Sequence, residues 1–285
     1  DSKVVVMVVY VDDIIISGND TFGIAEVKAY LHQHFQIKDL GTLKYFLGSE
    51  VLRSKKGISL SQRKYVLDLL IDTRMLTSKP TNTPMDPHQK LGSDEGEDFS
   101  DVHRYKRLFG KLIYLTVTCP YISFAVGVIS QFMQCPKKIH WDAACRVLRY
   151  LKSALGKGLI YRPNRNANLV GFSDVVWAGA DGERRSTSGY CTFVGGNLVT
   201  WKSKKQTTFA QSSVEAEYRV MAHTTAELIC VKSLLQELGF PINQPMQMFC
   251  NNQAAIYILI VTPFVSTTNQ LGDMFTKALF GPTFR

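Results

Sequence analysis

Near its start the chain carries two adjacent acids, Asp12 and Asp13, set inside an otherwise apolar, β-branched run. Residues 3–11 precede them, residues 14–16 follow, and Ser17-Gly18-Asn19 supplies a turn. The pattern predicts two strands joined by a tight connection that holds both carboxylates. Like charges at a hairpin tip repel each other and are costly to keep together unless a divalent cation lies between them. Two-metal phosphoryl transfer uses such a pair, with ions about 3.5–4 Å apart clamping the attacking and leaving oxygens. On Tyr10-Val11-Asp12-Asp13 alone, a solvated Asp-Asp turn carries at least equal weight.

With 285 residues, the chain has room for about two domains of roughly 150 residues each. Its net charge of +9 points to a polyanionic partner, either nucleic acid or a membrane surface. The longest apolar runs, 4–11 and 254–261, fall far short of the ~20 residues of a membrane span. None of the six cysteines forms a Cys-x-x-Cys pair, so buried, reduced thiols of a cytosolic or nuclear protein fit better than a secreted scaffold. His32 and His34 lie two apart and face different sides of any helix, which suits helix-end cations better than metal ligands. The opening Asp-Ser-Lys, without an initiator Met, reads as part of a longer polypeptide.

Apolar spacing at Ile24, Val27, Leu31 and Phe35 predicts a helix capped by Asp20. A second hairpin is expected from strands at 44–52 and 57–60, and a helix follows over 62–74. Residues 78–101 shift to Pro, Asn, Asp, Glu and Gly, the chemistry of a linker. Three amphipathic helices are expected at 105–118, 122–133 and 141–155. Short strands then come at 159–162, 168–173, 189–194 and 197–202. A long helix over 213–238, a strand at 246–250 and helices at 253–259 and 269–279 complete the pattern. Trp177 and Trp201 read more readily as core residues than as platforms for stacked bases.

Tyr10-Val11-Asp12-Asp13 between apolar strands resembles the catalytic hairpin of reverse transcriptases. The run from Asp39 to Gly48, Asp-Leu-Gly-Thr-Leu-Lys-Tyr-Phe-Leu-Gly, resembles the primer-grip segment of copia-type LTR retrotransposon polymerases, and this places the grip at Phe46, Leu47 and Gly48. Asn82-Thr83-Pro84-Met85, Gly110-Lys111-Leu112-Ile113-Tyr114-Leu115-Thr116 and His140-Trp141-Asp142-Ala143-Ala144 are similar to that family's connecting region.

In the second half, Ser173-Asp174 ends an expected strand and Trp177-Ala178-Gly179 follows. Arg184-Arg185-Ser186-Thr187-Ser188-Gly189-Tyr190, Trp201-Lys202-Ser203-Lys204-Lys205-Gln206 and Ser212-Ser213-Val214-Glu215-Ala216-Glu217-Tyr218 come next. These stretches resemble the ribonuclease H domain of copia-type polyproteins, a mixed five-stranded sheet with flanking helices whose acids hold two metal ions on an RNA–DNA hybrid. The resemblance carries Asp174 and Glu217 to the first two acids, Glu217 being preferred over Glu215. Asp273, within the motif from Gln270 to Leu279, matches the last acid. Mg²⁺ is the implied ion, with Mn²⁺ the alternative. Arg184, Arg185, Lys202, Lys204 and Lys205 could neutralise hybrid phosphates, or could form a solvated basic face.

The resemblance implies an α/β (α+β) fold in three parts. Residues 1–79 would be C-terminal palm and thumb elements of a truncated reverse transcriptase, 80–158 a linker and helical connection, and 159–285 a ribonuclease H-like mixed sheet. Two departures stand out. The family places Asp-Asn-Gln after the strand ending at Cys250, whereas this chain has Asn251-Asn252-Gln253. An amide keeps the shape of a carboxylate but loses its charge and presents N–H donors where a metal needs lone pairs. The family's further basic helix and strand before the last acid are replaced by residues 261–268 alone.

The third polymerase carboxylate of the family lies N-terminal to the hairpin, so Asp12 and Asp13 form an incomplete site, to be completed by the missing N-terminal part of a polymerase. These features imply an impaired hybrid ribonuclease, with a non-catalytic nucleic-acid binder and a decayed reading frame as the alternatives.

Overall fold

The computed structural model describes residues 3–89, 91–92, 96–164, 166–179, 184–258 and 270–277. Strands β1 (Val5–Tyr10) and β2 (Asp13–Gly18) pair antiparallel from Val5↔Gly18 to Tyr10↔Asp13, leaving Val11 and Asp12 as the turn. Val11 sits at φ 48°, a left-handed conformation that a β-branched side chain tolerates poorly. Helix α1 (Thr21–His34) starts at Asp20, whose carboxylate accepts the Gly23 N–H at 3.1 Å, as its sequence position requires. Met7, Val8, Val9, Tyr10 and Val11 are all exposed, so this ribbon contributes little to any core among the described residues.

The second sheet runs β3 (Tyr45–Phe46), β4 (Ser49–Ser54), β5 (Gly57–Ser61) and β6 (Leu159–Tyr161), all antiparallel. It differs from the sequence expectation in two ways. The strand expected at 44–52 folds back on itself at Leu47-Gly48, with φ of 45° and 72° at the two residues. Consecutive left-handed residues make the tight turn whose twist matches the flanking strands. The Tyr114 hydroxyl donates to the Leu47 carbonyl and clamps that turn from a distant helix. The strand expected to open the C-terminal sheet, β6, instead pairs with β5 through Ile58↔Tyr161 and Leu60↔Leu159. Gly158 permits it, because a Cβ there would stand only 1.9 Å from the Leu60 carbonyl oxygen.

Helices α2 (Arg63–Asp72), α3 (Val102–Leu115), α4 (Ser123–Ile129) and α5 (Lys138–Ser153) enclose the main core. Tyr105, Leu108, Phe109, Leu112 and Leu115 recur on one face of α3 and are all buried there. The stretch expected as one helix at 122–133 is α4 framed by two 3-10 turns, Pro120–Ile122 and Ser130–Phe132. His140, fully buried, is held by the Lys137 N–H at 3.0 Å and lies 3.1 Å from the Gly92 carbonyl oxygen.

The last sheet has the order β10-β7-β8-β9, from β7 (Leu169–Val176), β8 (Thr187–Val194), β9 (Asn197–Lys205) and β10 (Gln247–Phe249). β7, β8 and β9 are antiparallel, and β10 joins β7 in parallel, giving the mixed sheet expected from the sequence. Four strands are present among the described residues rather than five, and residues 261–268 lie outside them. The long helix α6 (Ser213–Glu237) packs on one face, where Gly171 meets Thr224 and Leu228. The other face meets the helical core, with the Trp201 indole N–H donating to the Thr116 carbonyl at 3.0 Å. Trp201 is thus part of a packing contact. Trp177, 41 % exposed, donates to Ala210 O at 3.1 Å. Short helix α7 (Gln253–Ile258) and a 3-10 turn at Leu271–Phe275 end the described chain, the latter inside the helix expected at 269–279. No helix of the described residues is long and apolar enough to cross a membrane.

Candidate nucleic-acid site

Asp174 lies near the end of β7 and is 1 % exposed. Glu217 enters from α6, which begins where Ser212 accepts the Glu215 N–H at 3.1 Å. Helix periodicity separates the two glutamates of this start. Glu215 accepts the Gln211 N–H at 2.8 Å and the Arg219 guanidinium at 2.6 Å, and these contacts, in that order, hold its carboxyl below the usual carboxylate range. Glu217 is 3 % exposed and lines an open pocket of about 410 Å³ with Asp174, Asn251, Asn252, Gln253 and Lys277.

Among the described residues, three donors stand against the Asp174 carboxylate. Asn251 Nδ2 donates to Oδ1 at 3.2 Å, the Thr276 hydroxyl donates to Oδ2, and Lys277 Nζ stands 3.8 Å from the same oxygen. Beneath them, Gln270 Nε2 donates to Ser173 O at 2.8 Å and its carbonyl accepts the Gly272 N–H at 3.0 Å. The Cys250 thiol, fully buried, donates to Glu217 Oε2 at 3.6 Å. Burial first, then the Glu217 charge, pushes that thiol up to about 12. Asp273 lies in the 3-10 turn, and its side chain is outside the described set.

The described part of this donor set does not fit a pair of divalent ions. Among the described residues the pocket is lined by two carboxylates, three amides, of which Asn251 presents its N–H to Asp174, and an ammonium group, whereas a pair of cations needs more anionic oxygen lone pairs. Among the described residues, no cluster of three or more His, Cys, Asp or Glu could hold a metal ion. Asp12 and Asp13 are likewise exposed at their turn without a third described acid. Phe46, Leu47 and Gly48 form the β3–β4 turn, far along the chain from Asp12 and Asp13 and fixed by Tyr114.

The expected basic group is divided by strand alternation. Lys202 and Lys204 pair with Tyr190 and Ser188 on the α6 side of β9. Lys205 alternates with them along the strand and its ammonium group donates to Gln131 Oε1 at 3.0 Å, although the residue still borders the same cavity. Arg184 stands apart over the Phe209 ring at 5.9 Å, and Arg185 is exposed beside it. Sequence reading missed Thr276, Lys277, Cys250, Arg219 and His223. Thr276 and Lys277 fall inside a quoted motif, but nothing local shows that they turn toward a residue a hundred positions away.

Residues 1–87 match the family model described as reverse transcriptase (RNA-dependent DNA polymerase). The chain is 42 % identical, over 99 % of its length, to the Retrovirus-related Pol polyprotein from transposon RE2 of Arabidopsis thaliana. It is 35 % identical over 90 % of its length to the corresponding polyprotein from transposon TNT 1-94 of Nicotiana tabacum. It is also 39 % identical to an uncharacterized mitochondrial protein of Arabidopsis thaliana, AtMg00810, covering 78 % of this chain and 92 % of that protein. The chain spans about a fifth of the length of the two polyproteins, 21 % and 20 %. No solved structure matches it. An exposed Asp-Asp hairpin, its clamped second turn and a mixed sheet carrying Asp174 and Glu217 thus occur in a chain that belongs to the copia-type retrotransposon Pol polyproteins, with reverse transcriptase sequence over its first 87 residues.

Proposed function

We propose that the C-terminal sheet with α6 is a ribonuclease H-derived module that binds RNA–DNA hybrid without hydrolysing it. The observation that carries this reading is the Asn251 amide, whose N–H donates to Asp174 Oδ1 at 3.2 Å. A carboxylate at that position would add charge and lone pairs, and an amide so oriented adds neither. Lys277 supports the same reading, because its ammonium group already compensates part of the Asp174 charge at 3.8 Å. Reverse transcriptases depend on divalent ions in general. The roles that the resemblance gives Asp174, Glu217 and Asp273 toward Mg²⁺ or Mn²⁺ call for a donor set that the described residues do not supply.

Binding rests on charge and shape. The chain carries +9, and Lys202, Lys204, Lys205 and Arg219 gather around one cavity between the sheet and α6. Neutralising phosphates releases condensed counterions and makes affinity fall steeply with salt. The same reading takes Asp12 and Asp13 as a polymerase-type carboxylate pair and Phe46, Leu47 and Gly48 as a primer-grip turn.

A labelled RNA–DNA hybrid incubated with purified protein in Mg²⁺, Mn²⁺ or EDTA tests the reading. Retention of the hybrid with salt-dependent affinity and no cleavage is expected. Metal-dependent cleavage that disappears in Asp174→Asn would overturn it.

A further inference from the structure

A second cavity, of about 320 Å³, lies on the α6 side of β9, and its walls are cationic. Lys202 and Lys204 project from alternate positions of this edge strand toward α6. Arg219 and His223, one helical turn apart, face them from α6. Ser188 and Tyr190 form the floor. No carboxylate is among the lining residues; Arg219 is paired with the Glu215 carboxylate at 2.6 Å, and Tyr190 is tied to that of Glu227.

The walls are braced. Gln206 donates to both Ser188 Oγ at 2.8 Å and Ala216 O at 3.1 Å, linking strand to helix. Tyr190 donates to Glu227 Oε2 at 3.1 Å, which fixes its ring against α6. Gathering like charges in a concave, braced space costs free energy through mutual repulsion, and an anionic occupant reverses the sign of that term.

We propose that this cavity is a phosphate-binding subsite, and that it takes a backbone phosphodiester of the nucleic acid bound under the function proposed above, on whose hybrid-binding reading it rests. Lys202 and Lys204 supply point charges to the phosphate oxygens. Arg219 offers a planar donor fork from the helix side, and His223 closes the ring of donors. The Asp174 pocket is lined by none of these residues, so the two sites hold the strand at separate points.

The test measures hybrid affinity by fluorescence anisotropy across a salt series for the wild type, Lys202→Gln/Lys204→Gln and a charge-matched control, Lys55→Gln/Lys56→Gln. The control lysines are exposed at the β4–β5 turn, away from the cavity. Each lost phosphate contact lowers the slope of log affinity against log salt by about 0.9, so the cavity variant should lose about 2 in slope and roughly tenfold in affinity. The control should lose far less. Equal losses in the two variants overturn the subsite, since they report only net charge.

NMR titration with inorganic phosphate supplies the second readout, with saturable shifts expected at His223 and at Lys202. If the wild type binds hybrid, but the cavity variant binds as tightly and phosphate produces no saturable shift, the subsite is overturned while hybrid binding stands. If phosphate shifts these residues but the hybrid does not bind, the reading of the module as a hybrid binder fails, and with it the phosphodiester assignment; the cavity is then a site for free phosphate.

Discussion

Replacing Asn251 by Asp should turn a stabilising contact into a repulsive one, and a divalent ion should reverse the effect. In the wild type, Asn251 Nδ2 donates to an oxygen of Asp174, a carboxylate 1 % exposed. A hydrogen bond to a charged group contributes about 1.5–3 kcal/mol. Asn251→Asp removes it and sets a second carboxylate at about the same distance. Two charges 4 Å apart repel by about 4 kcal/mol at an effective dielectric of 20, a ceiling that the neighbouring Lys277 charge and solvent in the open pocket lower.

A net loss of about 3 kcal/mol is the expectation, enough to lower the melting transition by roughly 6–12 °C in a domain of this size. Added Mg²⁺ supplies the missing positive charge. At a free concentration one hundred times its dissociation constant it returns about 2.7 kcal/mol. Scanning calorimetry of both proteins in EDTA and in millimolar Mg²⁺ makes the comparison. The variant should melt lower in EDTA and recover in Mg²⁺, while the wild type should be indifferent to the ion. A variant that melts with the wild type in EDTA would refute the reasoning, as would wild-type stabilisation by Mg²⁺ that Asp174→Asn abolishes.

Three further outcomes follow from named contacts. The Cys250 thiol, pushed up to about 12 by burial and Glu217, should resist iodoacetamide in the native protein, while the exposed Cys135 and Cys230 react; mass spectrometry of the alkylated chain reads this. Because folding favours its neutral form, its stabilising effect is complete below the ordinary thiol value near 9 and is lost as pH rises toward about 12.

His140 behaves in the opposite sense. Burial lowers its pKa from 6.5, so its contribution is present above that value and is lost as pH falls through the lower folded-state value; urea unfolding between pH 7 and 5 should show a decline that His140→Gln lacks. Tyr105→Phe removes the 2.9 Å bond to Ile129 O and leaves a buried carbonyl without it, at a cost of about 1–3 kcal/mol in the same unfolding assay.

Helices α3, α5 and α6 lie within a few residues of their expected bounds, because the apolar spacing that builds a helix is a property of neighbouring residues. The β1–β2 turn was readable for the same reason. The Leu47-Gly48 turn was not, since Lys44 to Leu52 reads as one apolar-aromatic strand until Gly48 is seen at φ 72°. Nor was the partner of β6, whose pairing with β5 spans about a hundred residues and leaves no local pattern.

At the candidate site the division is the same. At the level of residue identity and order, the chain alone carries the family, puts forward Asp174 and Glu217 as the candidate acids, and places an amide at position 251 where a carboxylate was expected. The direction of the Asn251 amide, the reach of Thr276 and Lys277 to Asp174, and the meeting of Lys202 and Lys204 with Arg219 and His223 while the Lys205 ammonium group bonds Gln131 come from the three-dimensional packing. Those contacts join segments far apart in the chain, and their geometry is set by sheet register and helix packing, neither of which any single stretch of residues encodes.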